Sequence, residues 1–186
     1  MKTPKSIRGY YEKLGVEDYY KRHAYDYSNP HFEQIRELLI NNKDNIDYNN
    51  VLDFCAGAGE VTLVLQELGF DNALGCDPFT HKVYKRKTKR PCLRLDFKAV
   101  IRHQLEGDYS AIVCSFGMHL CPPKELYPLV FELFQHAPKL IIITPHKRPV
   151  LEELAGVQKT YEDFALTERG KKVRLKVYES GFIKRE

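Results

Sequence analysis

The sequence has no long apolar run. Its longest candidates, Leu140–Thr144 and the stretch around Ala111–Phe116, fall far short of the roughly 20 residues that span a bilayer, so no membrane partner is expected. The opening MKTPKSIRGYYEKLG has no apolar export core, which points to a cytoplasmic location, or a nuclear one. Paired cysteines are also missing. The five present (Cys55, Cys76, Cys92, Cys114 and Cys121) are an odd number, and none has the CxxC spacing of a zinc site, so neither a disulfide framework nor a metal is expected. Four of the five lie in apolar stretches, where a free thiol acts as a small hydrophobe. No internal repeat, low-complexity tract or linker divides the chain. Its 186 residues suffice for one α/β domain with a sizeable core and are too few for two.

What is present is ordinary for a globular domain: 43% hydrophobic and 29% charged residues. The net charge of +4 is modest but unevenly spread. Lys82–Arg90 (KVYKRKTKR) holds six cations and no acid; such a run is either a solvated face or a track for phosphates. Short apolar runs alternate with amphipathic stretches. Residues 6–27 read as helical and are crowded with tyrosine. Asn29-Pro30 opens a helix through about Asn41 with apolar Phe32, Ile35, Leu38 and Leu39. Strands are expected at 49–55, 72–76, 92–95, 110–115 and 139–144, with helices at 60–68, 124–135 and 150–154. Two strands close the chain, at 160–167 and 171–179, around the turn at Arg169-Gly170. Strand–helix alternation implies a parallel sheet covered on both faces, and the closing hairpin implies one antiparallel strand.

The strongest signal is Val51-Leu52-Asp53-Phe54-Cys55-Ala56-Gly57-Ala58-Gly59-Glu60. A buried strand runs into a turn of small residues, and a helix starts directly after it. Gly57 and Gly59 allow a sharp turn and close approach of a ligand, with free N–H groups at the helix start facing it. Such a turn also suits a dinucleotide. The next strand closes on Asp77, where a carboxylate can take both hydroxyls of a ribose. Taken singly, Asp77 and Asp96 also read as strand-end caps.

These residues resemble the first motif of the class I S-adenosylmethionine (SAM) dependent methyltransferases: an acidic residue, then small residues with alternate glycines, matched from Asp53 to Gly59. Cys55 stands where that family usually has glycine. Asp77, closing the second strand, and Asp96-Phe97, closing the third, match its second and third motifs, and the resemblance covers roughly residues 30–180. It implies a three-layer α/β sandwich, a mostly parallel seven-stranded sheet ending in an antiparallel hairpin, with SAM as cofactor. A helical cover (1–48) would precede a SAM-binding core (49–186). Carried over, Asp53 and the backbone of Ala56, Gly57, Ala58 and Gly59 line the methionine part of SAM. Asp77 takes the ribose, with Pro78 or Phe79 on the adenine face. Asp96 accepts from the adenine amino group beside Phe97. Ser115 and Phe116, also expected to bind the cofactor, belong to the fourth loop, which lies where acceptor meets methyl.

His119 is the candidate general base, or else a packing histidine or a contact to the SAM carboxylate. Tyr20 and Tyr25, in the expected cover with Tyr10, Tyr11, Tyr19, Tyr27, His23 and His31, are candidates to wall the substrate or enclose the sulfonium. The His146-Lys147-Arg148 stretch after the fifth strand would lie on the same rim. No Asn-Pro-Pro-aromatic motif follows the fourth strand, and Pro122-Pro123 lies too far on to serve. The acceptor is therefore read as RNA, which the basic run favours, or a small molecule, which the absent motif favours. A non-catalytic SAM-binding subunit remains open, and so does a nicotinamide oxidoreductase, against which the incomplete GxGxxG and the hairpin argue. Nothing in the sequence sets the oligomeric state.

Overall fold

The computed structural model describes residues 29–181. In chain order they form α1 (Phe32–Asn41), β1 (Val51–Phe54), α2 (Glu60–Glu67), β2 (Ala73–Cys76), α3 (His81–Thr88), β3 (Cys92–Leu93), α4 (Phe97–Ile101) and β4 (Ala111–Ser115). A 3-10 turn (Met118–Leu120) leads into α5 (Pro123–His136) and β5 (Lys139–Thr144), and a second one (Leu151–Glu153) precedes the hairpin of β6 (Val157–Leu166) and β7 (Lys172–Ser180). All seven strands join one sheet in the order β3-β2-β1-β4-β5-β7-β6. Strands β1 to β5 run parallel to one another, and β7 is antiparallel to both β5 and β6. The fold is the expected α/β sandwich with its closing hairpin.

Successive strand residues point to opposite faces, and here both faces are buried, as a parallel sheet requires. Leu52, Phe54, Ile112, Cys114, Leu140 and Ile142 pack on one side under Val100 of α4 and Leu129, Val130 and Leu133 of α5. Val51, Val113, Ile141, Ile143, Leu175 and Val177 pack on the other under α1 and α2. Within α1, Ile35, Leu38 and Leu39 are fully buried beside Val61, Val64 and Leu65. The described part of the expected cover, residues 29–48, is thus a layer of the core; residues 1–28 lie outside the described residues. Among the described residues no helix is long and apolar enough to cross a membrane.

Local chemistry moves some boundaries. Helix α1 starts at Phe32 rather than Pro30 because Asn29 Oδ1 accepts the His31 N–H at 2.9 Å, closing a turn first. The basic run is a helix: only Val83, Tyr84 and Thr88 of α3 are buried, too thin a stripe to read from apolar spacing. Strand β3 keeps two residues of the four expected. Beyond Leu93 the chain turns into α4, whose first turn Asp96 caps by accepting from Ala99 N at 2.7 Å.

Tyr84 explains two glycines. Its ring is fully buried between β2 and the turn after β1, and its hydroxyl lies 2.7 Å from Thr62 Oγ1. A Cβ on Gly75 would stand 2.5 Å from the Tyr84 ring. One on Gly59, at φ +92, would overlap Thr88 Cγ2. Gly59 therefore clears room for α3, not for a ligand as its place in the motif suggested. Gly59→Val is expected to lose about 2–4 kcal/mol of stability through overpacking and a disfavoured φ. A urea midpoint equal to the unsubstituted protein's would contradict this.

Candidate functional site

From β1 the chain steps outward through β2 to β3, and from the neighbouring β4 it steps the other way to β5. Crossovers that part in this way leave a crevice above the carboxyl ends of the two central strands, where open α/β sheets bind ligands. A cavity of about 310 Å³ opens there, within the span of roughly 300–1,000 Å³ usual for small-molecule sites. Its walls are Phe54, Cys55 and Gly57 beyond β1, then Cys76 to Phe79 beyond β2, then Leu95 to Lys98 beyond β3. Ser115 to Gly117 with Leu120, and Pro122 with Glu125, close the remaining side.

Asp77 organises the floor. Its Oδ1 accepts from Phe79 N (2.8 Å) and Thr80 N (2.9 Å), and its Oδ2 from Gly57 N (3.2 Å). It thus shapes the turn that leads into α3 and ties it to the glycine turn after β1. A carboxylate has about four lone-pair sites; Oδ1 is full, and Oδ2 has one left. The glycine turn differs from expectation in the same way. Ala56 N donates to Cys76 O, Ala58 N to Glu60 Oε2, Gly59 N to Ala56 O, and Gly57 N to Asp77. All four N–H groups expected to face a ligand are used within the protein.

Asp53 is buried and turned toward α2, outside the cavity wall. Its Oδ2 accepts from Thr62 N (3.2 Å) and Thr62 Oγ1 (2.8 Å), while Oδ1 has no partner among the described residues. Burial pushes its carboxyl well above the ordinary range; the Thr62 bonds pull it down, and Glu60 and Asp77 push it further up. From the unfolded value near 3.9 up to that raised value, the native chain binds more protons than the unfolded one, so this group's contribution falls as pH rises. Asp53→Asn removes the titration. Its urea midpoint is expected to fall less than the unsubstituted protein's as pH rises above about 4, and parallel curves would contradict the assignment.

Two walls of the cavity rest on left-handed backbone. Cys55 has φ 58 and Phe116 φ 59, both directly past strand ends, β1 and β4. Non-glycine residues in this region carry strain and gather at functional sites. The usual family glycine at position 55 fits this φ without cost. Here the thiol is accommodated by Gly117, where a Cβ would overlap that of Cys55. Phe116 N donates to Ile143 O at 2.8 Å, and its ring stacks on His31 at 5.1 Å. The Ser115 hydroxyl is buried with no partner among the described residues, an open hydrogen-bonding group in the cavity wall. The thiols belong to the packing: burial raises Cys76 and Cys121 to about 12, and Cys114 and burial raise Cys55.

The cavity therefore brings together Gly57, Asp77, Pro78, Phe79, Asp96, Phe97, Ser115 and Phe116 of the residues expected to bind cofactor. Asp53, Ala56, Ala58 and Gly59 stand behind that surface. His119 is exposed on the 3-10 turn, its ring 4.3 Å from that of His146, and does not line the cavity. Tyr20 and Tyr25 lie outside the described residues. Leu95, Lys98 and Glu125 had no sequence signal, and Cys76 and Pro122 line the cavity without having been expected there. Glu60 was also missed. Its buried carboxylate accepts from Asn29 N (2.8 Å) and Ala58 N (3.2 Å), tying the start of the described chain to the glycine turn.

No protein-family model matches the chain. The protein C17A5.05c of Schizosaccharomyces pombe is 27% identical over 195 residues, covering 81% of this chain and 78% of its own. Among solved structures, the magnesium protoporphyrin IX methyltransferase of Synechocystis with bound SAM matches with TM-score 0.64 at 15% identity, over 97% of this chain and all of its own. The N-methyltransferase NodS of Bradyrhizobium japonicum, in complex with S-adenosylhomocysteine (SAH), gives 0.62 at 11% over 95% and 99%. TrmN of Thermus thermophilus gives 0.53 at 18% over 78% of this chain and 48% of its own. The fold of this chain is that of the class I SAM-dependent methyltransferases.

Proposed function

We propose that this protein binds SAM in the cavity at the ends of β1 to β4 and passes its methyl group to an acceptor at the Phe116–Leu120 rim. One observation carries the reading. The glycine turn, Asp77 at the end of β2 and Asp96 at the start of α4 meet in one cavity of ligand size, on a sheet whose order and closing hairpin are those of the methyltransferase fold.

Bound there, SAM supplies an electrophilic methyl on a sulfonium. The chain's part is to hold and align. The free lone pair of Asp77 Oδ2 accepts one ribose hydroxyl, not two. Asp96, with one oxygen on Ala99 N, keeps the other for the adenine amino group, with Phe97 and Phe79 as apolar walls. The unpartnered Ser115 hydroxyl meets the polar methionine end. His119, on the rim beside His146, is the base we assign to a proton released by the acceptor. Incubation with methyl-labelled SAM and a cell extract tests the reading. Label in an RNA or small-molecule fraction supports it; SAM binding with no transfer to any fraction would make the chain a SAM-binding subunit instead.

A further inference from the structure

The net positive charge of this chain comes from one short segment. Residues 81–102 carry nine of the 29 Lys and Arg and one of the 25 Asp and Glu. The other 164 residues therefore hold 20 cations against 24 anions, a net −4. In the fold these 22 residues are α3, the edge strand β3 and α4. They form one border of the molecule, directly beside the candidate SAM cavity.

That border contains a second concavity of about 300 Å³. It shares Pro78, Asp96 and Lys98 with the SAM cavity and adds Arg94, Arg102 and Gln104. Some cations elsewhere in the chain are paired, such as Arg36 on Glu67 and Arg174 on Glu162. Arg94, Lys98 and Arg102 have no ion pair among the described residues. Three like charges gathered at one hollow repel each other, an arrangement that an anionic ligand relieves. Lys82 and Lys85, exposed on α3, extend the positive border away from the hollow.

We infer that this border is a docking surface for the backbone of single-stranded RNA, with one phosphate in the Arg94–Lys98–Arg102 hollow. A flexible single strand can place a phosphate in a recess and continue along α3, which a rigid duplex does only with difficulty. The hollow also holds acceptors, Asp96 and the amide of Gln104. With Asp96 given to adenine, the Gln104 amide oxygen is the acceptor for the 2′-hydroxyl beside that phosphate, the group that marks RNA against DNA. The inference narrows the acceptor class of the proposed reaction, and so rests on that reading for its purpose, though not for its measurement.

The test is fluorescence anisotropy of a labelled, mixed-sequence RNA strand of about 20 nucleotides, titrated between about 50 and 200 mM salt, with SAH affinity measured separately on the same samples. The unsubstituted protein is expected to bind RNA with a steep salt dependence. In the variant Lys82→Ser/Lys85→Ser/Arg94→Ser/Arg102→Ser, affinity should fall at least tenfold, and the salt slope should flatten by up to about 3, near 0.7 per lost phosphate contact. SAH affinity should stay the same, since none of the four lines the SAM cavity. Arg94→Lys/Arg102→Lys should keep the slope, which separates lost charge from misfolding. Unchanged RNA affinity and slope in the fourfold variant, or no RNA binding by the unsubstituted protein, overturns the inference. DNA of the same sequence bound equally well overturns the assignment to RNA. SAH binding that fails while RNA binding holds would instead contradict the cofactor reading alone.

Discussion

Gly117→Ala is expected to cost about 2–3 kcal/mol of stability and to weaken SAH binding at least tenfold. Its backbone, at φ −108 and ψ −34, suits any residue, so only space forbids a side chain. An added Cβ would overlap Cys55 Cβ, lie 2.7 Å from Cys55 Sγ and 3.3 Å from Cys114 Sγ. Neither neighbour yields easily. Cys55 is held at φ 58 between β1 and the glycine turn, and Cys114 is fully buried in β4. The overlap therefore pushes apart the two turns that form facing walls of the cavity. Cys55→Gly removes both the obstructing thiol and the positive-φ strain. In that background the Gly117→Ala penalty should shrink, giving a coupling of about 1–2 kcal/mol in a double-mutant cycle. Additive effects would show that the two positions do not share the space.

Asp77 separates the structural from the binding role of the same carboxylate. Asp77→Ala leaves the Gly57, Phe79 and Thr80 N–H groups without acceptor, and each buried orphan donor costs about 1–3 kcal/mol. A loss of about 3 kcal/mol or more in unfolding free energy is expected. Loss of binding in that variant alone would therefore say little about the ribose. Asp77→Asn is the sharper substitution. Its amide oxygen still accepts from Phe79 and Thr80, while its NH2 faces Gly57 N–H and removes the remaining acceptor. Stability should fall by only about 1–2 kcal/mol, but SAH affinity should fall by roughly 2–3 kcal/mol, the loss of a charge-assisted bond. A folded Asn variant with full SAH affinity would remove Asp77 from the ribose.

The architecture was largely legible because its signals are local. Continuous apolar strands, helix stops at glycine and the spacing from Gly59 to Asp77 each follow from short-range chemistry. The hairpin was legible in the Arg169-Gly170 turn and the strands around it, and the seven-stranded sheet followed from the resemblance those residues carry. What the sequence hid is tertiary. Nothing in DFCAGAG shows that its last four N–H groups are taken by Cys76, Asp77, Glu60 and Ala56, because three of those partners come from folding the turn onto its surroundings. Gly59 looked like a ligand cradle, yet its missing side chain accommodates Tyr84 and Thr88 across α3. Cys55 looked like a tolerable substitution, and its tolerance depends on Gly117, distant in sequence. The basic run offered charge without apolar period, so its helix rests on two or three buried contacts no spacing rule detects.

One titration tests the central claim most directly: SAH added to the 186-residue chain in a calorimeter. The cavity predicts one molecule bound per chain with micromolar affinity, about −8 kcal/mol, and a thermal midpoint that rises with ligand concentration. No heat of binding and an unmoved midpoint up to about 1 mM SAH, weaker than roughly −4 kcal/mol, would show that this fold carries its glycine turn, Asp77 and Asp96 for some purpose other than SAM.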